Sequence, residues 1–132
     1  MGRTRQALML CLAAMLASGC ASEVKRAPAE LAAAQPEQGR RYVTTLAVEA
    51  RPESGYPRSI RAGTEFVVVG RVAQGLVPKP TQTVLTIEGA HMHEAYAVHR
   101  DGLLVGFYLP VERAYAALPL PASMPLQEKN AP

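Results

Sequence analysis

The residues with the clearest capacity for chemistry are three histidines, His91, His93 and His99, in the segment AHMHEAYAVH. On an extended strand His91 and His93 point to the same side, with Met92 on the other. Two imidazoles at that spacing are candidate ligands for copper or zinc, and a methionine thioether is a soft copper ligand. His99 lies six residues beyond His93, about 20 Å along a straight strand, so it cannot complete the same site without a bend. Alternation assigns Met92 to an apolar face with Tyr96 and Val98. The preferred reading is therefore that Met92 is core and that the histidines decorate a polar or partly covered face. A metal site at His91 and His93 is the alternative.

Other chemistries find less material. The only aspartate, Asp101, sits in an Asp-Gly turn signal. Ser54 and Ser59 flank a loop with no nucleophile-elbow context. Glu65, Glu88, Glu94 and Glu112 are not paired by spacing in the way that glycoside cleavage needs. Gly63, Gly70 and Gly75 are isolated and read as turn or bulge positions, not a phosphate loop. Tryptophan is absent and the few aromatics read as core, which argues against stacking platforms for sugars or single-stranded nucleic acid. The expectation is a non-enzyme without a cofactor.

The elements that would position these residues are strands. Tyr42 to Ala50 carries Val43, Thr44, Thr45, Leu46 and Val48; Glu65 to Val72 is dense in β-branched residues; Thr83 to Ile87 makes a third run. Gly75, Pro78 and Pro80 read as breaks. Asp101-Gly102 between two apolar runs predicts a two-residue type I′ hairpin. That turn pairs Arg100 with Leu103, Val98 with Val105 and Tyr96 with Phe107. It gives a core face of Tyr96, Val98, Leu103, Val105, Phe107 and Leu109, opposite His93, Ala95, Ala97, His99, Leu104, Gly106 and Tyr108. Glu88 and Glu94 fall on the apolar side in this register unless Gly89-Ala90 interrupts the strand. Glu112 to Leu118 fits either a strand or a helical turn. Short strands with Gly and Pro turns predict an all-β fold, a small antiparallel β-sandwich or barrel. Residues 70–118 have a faint likeness to transthyretin-like or carboxypeptidase-regulatory-like modules: a strand, a Pro-containing turn, a strand, then the Asp-Gly hairpin.

The ends read differently. Ala21 to Arg40 is rich in Ala, Glu, Gln and Pro, and residues 20–40 are expected to be a flexible tether reaching about 65–70 Å when extended. The stretch 119–132, PLPASMPLQEKNAP, has four prolines and is expected to be a Pro-rich extended tail. That leaves a β-domain over 41–118, about 78 residues and marginal on its own.

The first twenty residues read MGRTRQALMLCLAAMLASGC. Arg3 and Arg5 form a positive start, and Ala7 to Ala17 is an apolar stretch too short to span a bilayer as a helix. Leu16-Ala17-Ser18-Gly19-Cys20 resembles the lipobox of bacterial lipoproteins, so 1–19 would be a signal peptide. The resemblance implies cleavage before Cys20 and acylation of its thiol, hence a membrane partner through lipid. The absence of Asp after Cys20 implies the outer membrane, with the domain facing the periplasm. Ala17 stands where leucine is commonest.

Charge narrows the partners. The chain carries a formal +3; without Arg3 and Arg5 its 14 Lys and Arg become 12, against 11 Asp and Glu. A near-neutral chain with scattered cations lacks the clustered charge that nucleic acid binding needs. Arg40, Arg41, Arg51, Arg58 and Arg61 read as a solvated face. Cys11 lies within the apolar stretch and no cysteine follows Cys20, so the domain has no internal disulfide. These features together point to an accessory or assembly component of an envelope complex, of secretion, pilus or conjugation type, docking on a larger envelope protein through an edge strand or the proline-rich end. A periplasmic inhibitor or ligand-binding module is the further possibility, marked by a deep apolar pocket.

Overall fold

The computed structural model describes residues 23–129. They form eleven strands and, among the described residues, no helix: β1 (Ala27–Pro28), β2 (Arg41–Thr44), β3 (Val48–Ala50), β4 (Arg58–Ile60), β5 (Glu65–Val72), β6 (Gly75–Pro80), β7 (Leu85–Glu88), β8 (Met92–Arg100), β9 (Leu103–Leu109), β10 (Ala114–Ser123) and β11 (Leu126–Glu128). The strand pairings are antiparallel. One sheet runs β1-β10-β9-β8-β6-β5-β2-β11, with β7 also paired to β8. The β3–β4 hairpin is a second, smaller sheet. Its Val48, Ala50 and Ile60 pack with Phe66, Ile87, Ala95, Phe107, Leu109 and Met124 into the main core, so the all-β fold is sandwich-like.

β5 shows how the strands arise. Its residues alternate between buried and less buried positions, as a run of β-branched side chains on a pleated surface should. The run expected over 42–50 is broken in two. Thr44 is buried; its Oγ1 donates to Arg61 O at 2.9 Å and accepts from Thr64 N at 3.0 Å. These bonds hold the chain where it leaves one sheet for the other, and Leu46 stands in solvent. β6 occupies a segment that its prolines marked as a break. Lys79 pairs with Val67, flanked by Pro78 and Pro80, while β8 pairs with β6 only at Leu76. The missing proline N–H groups therefore point to a side with no ladder to complete. Glu112 to Leu118, which fitted two readings, enters β10 from Ala114.

The hairpin turn forms as the Asp-Gly pair requires: Asp101 has φ 51° and Gly102 φ 77°. The register built on it is corrected. Arg100 pairs with Leu103, but a bulge between Val98 and His99 then pairs Val98 with Gly106, Ala97 with Phe107 and Tyr96 with Tyr108. An extra residue on one strand reverses which side chains share a face. The main core consequently takes Ala95, Ala97, Leu104, Phe107 and Leu109. Val98 and Tyr108 form a smaller cluster, with Tyr96, Val105 and Tyr115 against it. Met92, expected in the core, is exposed, and the misplaced acid Glu94 is exposed too.

Both ends are more ordered than their composition suggested. From Glu23 onward the expected tether lies on the domain. Val24 and Ala34 are buried, β1 pairs with β10, and Ala32 exchanges two backbone hydrogen bonds with Arg71 at 2.9 and 2.8 Å. Gly70 makes room for this strap, since a Cβ there would come within 2.6 Å of Ala32 O. The expected tail is β-structured as far as Glu128: Met124 is fully buried and β11 pairs with β2. The β-structure thus extends beyond 41–118 on both sides, from β1 to β11.

Candidate functional site

The chain's candidate chemistry collects at the end of the molecule where β8 begins. Ile87 and His93 are cross-strand partners, and His93 points into the same side as core residues Ala95 and Ala97. Its side chain is 7% exposed. The β9–β10 turn brings Glu112 to it, and His93 Nδ1 donates to Glu112 Oε1 at 2.6 Å. The hydrogen bond from His93 holds the Glu112 carboxyl below the usual carboxylate range; partial burial opposes this, and Arg26 adds a smaller attraction. His93 Nε2 and Glu112 Oε2 are buried with no hydrogen-bond partner among the described residues.

A histidine oriented by a carboxylate through Nδ1 is also the supporting half of a catalytic triad. In a working base, however, Nε2 must reach a nucleophile. Here Nε2 is closed off by the fold, and the pronounced clefts are lined by other residues. The pair therefore ties the β9–β10 turn to β8.

The two metal candidates are treated differently by the fold. His93 is buried, whereas the His91 side chain is 74% exposed in the turn before β8, 3.9 Å from Glu23. Among the described residues no group of three or more His, Cys, Asp or Glu side chains could hold a metal ion. His99 is remote from both; its Nε2 lies 2.9 Å from Met124 O and binds the C-terminal segment to the hairpin. Cys20 falls outside the described residues. Sequence reasoning missed Glu112 as the partner of His93, because nineteen residues and a turn of then undecided conformation separate them.

Ion pairs surround this end: Lys25–Glu53 at 2.9 Å, Arg58–Glu88 at 2.8 Å and Arg26–Glu23 at 3.9 Å. They join the N-terminal strap to the β3–β4 turn, and β4 to β7. Elsewhere a cleft of about 560 Å³ lies between residues 59–66 and 80–85. Ser59, Arg61, Thr64, Gln82 and Thr83 line it as well as Ile60, Phe66 and Leu85, so it is not the apolar cavity of a carrier for hydrophobic ligands. No protein-family model, curated protein or solved structure matches the chain.

Proposed function

We propose that this chain is a non-enzymatic lipoprotein, anchored to a membrane through lipid on Cys20 and serving as an accessory or assembly component of an envelope complex. The observation that carries the reading is the sequence Leu16-Ala17-Ser18-Gly19-Cys20 behind a short apolar stretch with Arg3 and Arg5 before it. Two or more acyl chains on that cysteine give stable attachment, where one gives only reversible binding. The outer membrane, with the domain on the periplasmic side, is the location that the residues after Cys20 favour.

An assembly role draws support from β7. Among the described residues it pairs with β8 alone, which leaves its other edge without a strand there, and Val84 just before it is 71% exposed. An open edge beside an exposed apolar side chain suits addition of a partner's strand. The test has two arms. Cys20→Ala should leave an unprocessed precursor without acyl mass; processing and membrane sedimentation identical to wild type would refute the lipoprotein reading. A photo-crosslinking residue at Val84 should capture a larger envelope protein in intact cells. Capture of lipid or of this chain alone would refute the assembly role.

A further inference from the structure

We propose that the end of the domain bearing Met92 and Val111 rests directly on the headgroups of the bilayer that holds Cys20; the inference depends on the lipoprotein reading and assigns the domain its orientation.

The argument starts from chain length. Cys20 is three residues before Glu23, so it lies within about 11 Å of Glu23 however the chain runs between them. Glu23 is already at the domain surface, 3.9 Å from His91, and Val24 is buried in the main core. A lipid on Cys20 therefore has no spacer long enough to lift the domain away. The part of the surface nearest to Glu23 must be the part nearest to the bilayer.

That surface carries a group of exposed apolar side chains, while Leu46, Val84 and Leu120 are exposed elsewhere. Met92 follows His91 and is 66% exposed; Val111 precedes Glu112, the partner of His93, and is 78% exposed. Tyr56, two residues before Arg58 and its ion pair with Glu88, is 49% exposed. Apolar and aromatic groups of this kind settle at the boundary between headgroups and acyl chains. The charges are compatible. Glu23, Glu53, Glu88 and Glu112 each have a cationic or imidazole partner; Glu94, exposed two residues farther along β8 than Met92, has no ion pair among the described residues and lies farther from the headgroups. The nine residues of β8 then carry the Asp101-Gly102 turn about 25–30 Å from the membrane, where a protein partner can reach it.

The chain has no tryptophan, so single substitutions report position without background. Met92→Trp, Val111→Trp and Leu103→Trp variants of the full chain are expressed in a bacterium and purified from its membranes. Each is reconstituted into phosphatidylcholine vesicles with or without bromine on the acyl chains. The expected result is loss of emission in brominated vesicles for Met92→Trp and Val111→Trp, and unchanged emission for Leu103→Trp beside the distal turn. Equal quenching at all three positions, or none at Met92 and Val111, overturns the orientation. Mass spectrometry of the same samples separates the two readings. Acyl mass on Cys20 with the wrong quenching pattern refutes the orientation alone; no acyl mass refutes the anchor and the orientation with it.

Discussion

Replacing Gly106 by alanine tests the central pairing of the sheet. Gly106 lies on β9 opposite Ala117 of β10, just before four residues of β10 leave the ladder between Ala117 and Ala122. A Cβ at Gly106 would come within 2.5 Å of Ala116 O and 2.6 Å of the Tyr115 ring. The first obstacle is backbone and cannot turn aside. The second is held, because Tyr115 Oη donates to Val105 O at 3.0 Å. Overpacking of this kind costs about 1–3 kcal/mol, and displacing the tyrosine forfeits a hydrogen bond of about 1 kcal/mol. The sum, roughly 2–4 kcal/mol, corresponds to a fall in melting temperature of about 10–20 °C for a domain of this size. Urea denaturation followed by circular dichroism measures it. Tyr115→Phe isolates the hydroxyl and should cost about 1 kcal/mol. Placing Gly106→Ala in a Tyr115→Ala background should relieve only part of the penalty, because Ala116 O remains. If Gly106→Ala unfolds at the same urea concentration as wild type, the β9–β10 register is wrong.

Gly102→Val should destabilise the domain by about 1 kcal/mol or more, since a β-branched residue resists the positive φ of the turn; an unchanged melting temperature would remove the type I′ assignment. Glu112→Leu leaves His93 Nδ1 without its acceptor and should cost about 1–3 kcal/mol, while Glu112→Gln, whose carbonyl still accepts, should cost less in the same denaturation assay. The Glu112 carboxyl titrates lower folded than unfolded, so its stabilisation is present above its ordinary value of 4.5 and fades as pH falls through the folded value. Wild-type stability should thus decline more steeply than that of Glu112→Gln below about pH 4.5; parallel pH profiles would show that the carboxylate charge contributes nothing. Isothermal titration with copper or zinc should find no tighter site in residues 21–132 than in a His91→Ala, His93→Ala double variant; a sub-micromolar site lost in the variant would restore the metal alternative.

What could be read from the residues depended on how local the signal was. The all-β class, β5 and the Asp-Gly turn are set by β-branched density and by φ preference within a few residues, and these readings hold. The hairpin register differs from the expected one because Val105 of β9 is left unpaired between Leu104, opposite His99, and Gly106, opposite Val98, so the extra residue lies on the strand after the turn. Since strand faces alternate, that one residue exchanged the core face for the other and carried His93 from a polar face into the core's margin. The His93–Glu112 pair was out of reach for a related reason. Its geometry requires both the corrected face of β8 and the β9–β10 turn, and neither was available from spacing. Glu88 and Glu94 on the expected apolar face are the signs, visible in the sequence, that the face assignment needs correction.

The ends were misread for a different reason, and it bears on how the domain meets other proteins. Proline and polar composition suggest segments that stay outside a fold. They are equally the marks of edge strands, which must be short and poorly able to extend a ladder if the sheet is not to recruit strangers. β1, two residues with Pro28, covers the outer side of β10, and β11, three residues ending in Gln127-Glu128, covers the outer side of β2. Lys129 then pairs with Glu65 at 2.9 Å, beside the Arg41–Glu65 pair at 2.7 Å, and fixes that edge. These two short strands thus line part of β10 and part of β2 at the two ends of the main sheet. Among the described residues no strand covers the outer side of β7. A side-chain bridge from Arg58 to Glu88 crosses at one end of the strand. Among the described residues β7 thus has an edge with no paired strand, beside the exposed Val84, where strand addition needs no prior unfolding. On that reasoning we place the proposed assembly partner at β7.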